Sequence, residues 1–111
     1  MSTGRILIVE DNEGLAHLME KSLSRGGFDV QTKGSAEDAL ATCSFADIDL
    51  LIVDYQLGGK ENGVQFYTEI RGRGFSIPAI LVTGFGDENV LLEALRFGVR
   101  DFLPKNDNLL E

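Results

Sequence analysis

Three short apolar runs, each ending abruptly in polar residues, constrain the fold of this chain more than any other feature. The runs and the polar residues that follow them are Ile6–Val9 before Glu10 and Asp11, Leu50–Val53 before Asp54, and Ala79–Val82 before Thr83. Uninterrupted apolar runs of this length are typical of strands that are buried on both faces of a parallel sheet. Because parallel strands end at the same edge of a sheet, these polar residues are expected to converge there.

Helical patterns alternate with the strands along the chain. A first helix is capped by Asp11 or Asn12, and a second follows Ser35. Asp87 is expected to cap a fourth helix, which Gly98 closes. The apolar positions of the first three helices are Leu15, Leu18, Met19 and Leu23, then Ala36, Ala39, Leu40 and Cys43, then Val64, Phe66, Tyr67 and Ile70. Two mixed strands are also predicted, at Phe28–Thr32, where apolar and polar residues alternate, and at Asp101–Leu103.

This alternation predicts a single α/β domain over residues 1–111, with a flavodoxin-like, doubly wound, five-stranded parallel sheet of order 2-1-3-4-5. The apolar strands one, three and four are expected to be central. The mixed strands two and five are expected at the edges, where Pro104 is tolerated.

The end of the chain carries a further expectation, because only Asn106–Glu111 follow Lys105. The fifth helix is expected to be largely missing, and the chain is expected to be part of a longer protein. Apolar area that this helix would cover is then exposed, so self-association is expected.

Composition excludes several classes of function. The net charge is −8 and basic residues do not cluster, which argues against direct binding of nucleic acid. No segment approaches the ~18 apolar residues of a membrane span. The start of the chain has no hydrophobic signal region, and the single Cys43 cannot form an internal disulfide, so a cytoplasmic location is expected.

The acidic residues at the predicted sheet edge indicate a metal site. Glu10, Asp11 and Asp54 would repel one another if all three were ionised together, unless a cation lay between them. Mg²⁺ is the natural cation, because it prefers oxygen ligands and is typically held by one or two carboxylates and a phosphate.

Four segments in this order resemble the receiver domain of two-component response regulators. They are Ile6–Asp11, Leu51–Asp54, Val82–Gly84 and Gly98–Lys105, and the resemblance covers almost the whole chain. It implies that Asp54 is the phosphoacceptor, with Glu10, Asp11 and the backbone carbonyl of Gln56 as further Mg²⁺ ligands. It also implies that Thr83 and Lys105 hold the phosphoryl oxygens, and that Thr83 and Phe102 form a switch that changes partner interactions.

The resemblance further implies the partners of the protein. A sensor histidine kinase or a phosphotransfer protein would donate the phosphoryl group, and an output domain or a downstream partner would respond. A receiver is not a conventional enzyme, since it catalyses only its own phosphotransfer and dephosphorylation. The chain departs from the family pattern in having Lys105–Asn106 where Lys-Pro is usual, and Phe102 where tyrosine is commoner.

Three other functions compete with this interpretation. A receiver-like module could bind partners without phosphorylation, although such relatives tend to lose the acidic pair, the acceptor or the lysine. A Mg²⁺-dependent phosphatase of the haloacid-dehalogenase type would need a second aspartate two residues after Asp54, where this chain has Gln56. A flavin carrier is disfavoured because the acidic loop Glu10–Glu13 would repel a phosphate.

Overall fold

A computed structural model describes residues 4–57, 62–83 and 101–104 of the chain, with Thr83 and residues 101–104 described by their backbone alone. Five parallel strands form one sheet of order β2-β1-β3-β4-β5, which confirms the predicted topology. The strands are β1 at Arg5–Val9, β2 at Asp29–Lys33, β3 at Leu50–Asp54, β4 at Ala79–Thr83 and β5 at Asp101–Pro104.

The described helices connect the first four strands. They are α1 at Glu13–Arg25, α2 at Ala36–Thr42 and α3 at Gly63–Gly72, with a short 3₁₀ helix at Phe45–Asp47. The helix predicted after Asp87 and the residues after Lys105 lie outside the described part of the chain. Among the described residues, no helix is long and apolar enough to cross a membrane.

The sheet is buried on both faces, as the apolar runs predict. Alternate residues of each strand point to opposite faces, so their side chains belong to two separate hydrophobic clusters. One face, with Leu7, Leu51 and Leu81, packs against side chains of α2, the 3₁₀ helix and α3. The other, with Ile8 and Ile52, packs against α1. The architecture is therefore doubly wound.

Side-chain caps fix where the helices begin. Asn12, and not Asp11, caps α1, because its side chain accepts a hydrogen bond from the backbone N–H of Leu15 at 3.0 Å. Ser35 caps α2 as predicted, by accepting from the N–H of Asp38 at 3.0 Å. These bonds satisfy backbone donors that have no partner within the helix.

Two sequence-based expectations are wrong in detail. The apolar pattern places Leu18 on the buried face of α1, but this side chain is 55% exposed. At ~100° per residue, Leu18 lies about 100° from the centre of the arc formed by Leu15, Met19 and Leu23, whereas the buried Ala16 lies about 60° from it. The second strand begins at Asp29, after Phe28, and continues to Lys33.

Candidate metal centre at the carboxyl edge of the sheet

Three carboxylates meet where the two central strands β1 and β3 end. These strands pair in parallel with Val9 opposite Val53, so the residues that follow Val9 lie beside Asp54 at the end of β3. Glu10, Asp11 and Asp54 each offer one carboxylate oxygen, and these atoms all lie within 4.8 Å of one another. The convergence predicted from the sequence is therefore present in the fold.

The three carboxylates differ in their exposure to solvent. Glu10 is 2% exposed and Asp54 is 3% exposed, and they are the only buried charged residues among those described. Asp11 is exposed at the rim. Carboxylates are rarely buried unless another group compensates their charge, so two of them side by side indicate a site that is built to bind a cation.

An open cleft gives access to these groups. Its volume is about 360 Å³, and it is lined by Asp11, Asn12, Asp54, Gln56 and Leu57. The walls are mainly polar, and the cleft lies over the carboxyl ends of the strands, where open α/β sheets bind their ligands. A small hydrated ion and a phosphoryl group therefore have room beside the carboxylates.

Hydrogen bonds hold the end of β3 between β4 and the start of α3. Asp54 pairs with Val82 in the sheet, and the N–H of Tyr55 donates to the carbonyl of Val82 at 2.8 Å. The N–H of Gln56 donates to Oδ1 of Asp54 at 3.2 Å. The N–H of Gly63 donates to the carbonyl of Tyr55 at 2.8 Å, which attaches the start of α3 to this turn. The Asp54 carboxylate is consequently presented from a fixed backbone.

Two residues at the site carry no site role in the sequence-based interpretation. Asn12 lines the cleft while it caps α1, and its position directly after Asp11 is a signal that could have suggested this. Gly63 approaches the backbone of Asp54 closely, which no local pattern predicts.

The remaining predicted site residues are only partly covered by the structure. Thr83 ends β4, next to β3, and Phe102 lies in β5 opposite Leu81. The expectations for the side chains of Thr83 and Phe102, and for Lys105, lie outside the described residues.

The donor set fits a hard divalent cation. Oxygen ligands from carboxylates suit Mg²⁺ or Mn²⁺, and the described part of the site offers neither the thiolates nor the imidazoles that softer metals prefer. Glu10, Asp11 and Asp54 would hold the ion, and the backbone carbonyl of Gln56 lies in the segment that lines the same cleft.

Comparisons with known proteins agree with this fold and edge site. The family model of the response regulator receiver domain matches residues 6–111. The chain therefore belongs to the receiver domains of two-component response regulators, a family in which phosphorylation and Mg²⁺ are typical.

Individual relatives support the assignment. The alkaline phosphatase synthesis transcriptional regulatory protein PhoP of Bacillus subtilis is 29% identical over 101 residues, which is 91% of this chain and 42% of that protein. The non-phosphorylated receiver domain of HemR from Leptospira biflexa is 25% identical, with a TM-score of 0.85 over 93% of this chain and 82% of that chain. The response regulator TrrA of Thermotoga maritima, solved with Mg²⁺-BeF, is 25% identical, with a TM-score of 0.81 over 96% of this chain and 90% of that chain.

The chain is shorter than the curated relatives that it matches. It spans 42% of PhoP and 22% of the C4-dicarboxylate transport regulatory protein DctD of Rhizobium meliloti. The similarity therefore concerns the receiver portion of these proteins.

Proposed function

We propose that this receiver accepts a phosphoryl group on Asp54, with Mg²⁺ held by Glu10, Asp11, Asp54 and the backbone carbonyl of Gln56. The observation that carries the proposal is the convergence of three carboxylates within 4.8 Å at the end of the central strands. The solved structure of TrrA with Mg²⁺-BeF, a protein similar to this chain, supports the same assignment.

The residue types suit the chemistry of phosphoryl transfer. An oxygen of the Asp54 carboxylate attacks the phosphorus of a phosphohistidine, a P–O bond forms, and the P–N bond breaks. The imidazole nitrogen keeps the electron pair of the broken bond and takes up a proton. Mg²⁺, when bound, neutralises negative charge on the carboxylates and on the phosphoryl oxygens.

The chain's own residues position the reacting groups. The backbone N–H of Gln56 donates to Oδ1 of Asp54 and thereby orients the carboxylate. We propose that Thr83 and Lys105 hold the phosphoryl oxygens. We further propose that Thr83 and Phe102 form a switch through which phosphorylation changes the interaction with a partner. In this role the domain catalyses only its own phosphorylation and dephosphorylation.

The proposed partners follow from this role. A sensor histidine kinase or a phosphotransfer protein would supply the phosphoryl group, so the reaction would take place in the cytoplasm. PhoP and DctD are named as transcriptional regulatory proteins, which supports an output domain or downstream partner that responds to the receiver.

The proposal is tested by incubating the protein with acetyl phosphate and Mg²⁺ and measuring its intact mass. We expect one phosphoryl adduct, no adduct when a chelator replaces the metal, and none on an Asp54→Asn variant. Asp38→Asn is a matched control, because Asp38 is an exposed aspartate in the first turn of α2, outside the cleft.

Two results would contradict the proposal. An adduct that persists in Asp54→Asn would show that another residue is the acceptor. A folded wild-type protein that takes up no phosphoryl group, from acetyl phosphate or from a phosphohistidine donor, would favour a module that binds partners without phosphorylation.

A further inference from the structure

The first residue of α3 lies against the end of β3 with no room for a side chain. Gly63 is buried, and a Cβ atom built on it would lie 2.5 Å from the carbonyl oxygen of Asp54. It would also lie 3.1 Å from the carbonyl carbon of Asp54 and 3.0 Å from Cγ1 of Val53. Real Cβ atoms essentially never approach backbone atoms at the shortest of these distances.

The requirement for glycine here is one of space and not of backbone conformation. Among the described residues, the glycines with positive φ are Gly4, Gly27 and Gly74, so Gly63 has a backbone that other residues can adopt. An alanine at this position must therefore move either α3 or the segment that carries Asp54.

The start of α3 resists such a movement. Asn62 and Gln65 form a capping box, in which each side chain accepts a hydrogen bond from the backbone N–H of the other at 2.8 Å. The neighbouring Val64 and Phe66 are almost completely buried in the core. Shifting the helix would disturb both the cap and this packing.

The end of β3 is held from the other side by its backbone bonds to β4. The turn at Asp54–Gln56 lies between β4 and α3, and it carries both the acceptor carboxylate and the proposed carbonyl ligand. Strain from an added methyl group would therefore be passed to the atoms that bind the metal.

We infer that Gly63 is a positioning residue of the site, whose missing side chain sets the placement of Asp54 and Gln56 for the metal and the phosphoryl group. This inference rests on the proposed function, and it assigns a role to a residue that touches neither ligand. The role is carried by the backbone contact with Asp54 and by the hydrogen bond from Gly63 to Tyr55.

The test compares the same substitution at two ends of one helix. Gly63→Ala adds a methyl group against Asp54, whereas Gly72→Ala adds it where no atom lies within 4 Å. Mg²⁺ affinity is measured by NMR titration of the Gln56 amide, the rate of adduct formation with acetyl phosphate by mass spectrometry, and stability by urea unfolding in chelator.

For Gly63→Ala we expect Mg²⁺ affinity to fall by roughly ten- to a hundredfold, the loss typical when a group that orients metal ligands is changed. The adduct should form more slowly, while Gly72→Ala should keep the wild-type affinity and rate. A merely structural role would lower stability in chelator without changing the affinity of the folded protein for Mg²⁺.

Each outcome of the affinity measurement either supports or overturns the inference. A folded Gly63→Ala with wild-type Mg²⁺ affinity would overturn it. If Gly63→Ala does not fold, Asn62→Ala takes its place, because it loosens the start of α3 without adding an atom. A reduced affinity in Asn62→Ala would support the inference, and an unchanged affinity would overturn it.

The proposed function and the inference fail in different ways. A wild-type protein that binds Mg²⁺ but takes up no phosphoryl group would refute the proposed function, and the comparison of metal affinities would still test Gly63. A phosphorylated wild type with an equally active Gly63→Ala would refute the inference alone. A wild type that neither binds Mg²⁺ nor accepts a phosphoryl group would refute both.

Discussion

Replacing Asp54 by asparagine should make the metal-free protein more stable, although it removes the proposed acceptor. The change keeps the shape of the side chain and removes one of three negative charges that lie within 4.8 Å of one another. Asp54 is also one of the two buried carboxylates, so the substitution removes the desolvation cost of one buried charge.

The size of the effect follows from the distances. At the upper limit of 4.8 Å, one pair of unit charges repels by about 1 kcal/mol in a water-like medium and about 3.5 kcal/mol at an effective dielectric constant of ~20. Asp54 takes part in two such pairs. The hydrogen bond from the N–H of Gln56 becomes weaker when its acceptor is neutral, which offsets about 1 kcal/mol. The two pairs together amount to about 2–7 kcal/mol, so a net stabilisation of about 1–6 kcal/mol is expected after this offset.

The assay is urea unfolding of the wild type and Asp54→Asn, in chelator and in Mg²⁺. The variant should be the more stable protein in chelator, and Mg²⁺ should stabilise the wild type more than the variant, since ligands stabilise the state that binds them. Asp38→Asn controls for the net charge. It should not stabilise the protein, because a negative charge in the first turn of α2 is favourable. A clear loss of stability for Asp54→Asn in chelator would refute the reasoning from repulsion.

Two further predictions concern the scaffold, and both are measured as free energies of unfolding in urea. Phe66→Ala should lower the free energy of unfolding by about 3–5 kcal/mol, because this side chain is fully buried. Leu18→Gln, on the exposed face of α1, should change it by no more than about 0.5 kcal/mol. Equal losses in the two variants would contradict the burial assigned to these side chains. Ser35→Ala should lower the free energy of unfolding by about 1 kcal/mol, because it removes the cap of α2. Ser35→Asn should retain most of the stability, because asparagine can also cap the helix. An alanine variant as stable as the wild type would show that the cap contributes nothing.

The strands and their order can be predicted because their determinants are local in the sequence. A strand buried on both faces needs an unbroken apolar run, and Ile6–Val9 and Leu50–Val53 provide it. The carboxylates directly after these runs must meet once the strands are neighbours. For the same reason, the sequence alone assigns Glu10, Asp11 and Asp54 to one site.

The features that the sequence does not predict depend on contacts between distant parts of the chain. The ring of Phe45, in the 3₁₀ helix, packs edge-on against Phe66 at 6.2 Å and near Phe75 at 5.9 Å. No periodic pattern marks these non-local pairs. The apolar pattern of the third helix begins at Val64 and assigns no role to Gly63, whose close contact with Asp54 exists only because α3 packs on the sheet. The exposure of Leu18 likewise depends on the part of α1 that faces the sheet.

The central claim is that Asp54 itself carries the phosphoryl group. It is tested most directly by treating the protein with acetyl phosphate and Mg²⁺, reducing it with borohydride, and sequencing its peptides by tandem mass spectrometry. Borohydride converts an aspartyl phosphate to homoserine, so the account predicts homoserine at position 54 and unchanged glutamate and aspartate at positions 10 and 11. Homoserine at another aspartate, with position 54 intact in a folded and metal-bound protein, would contradict it.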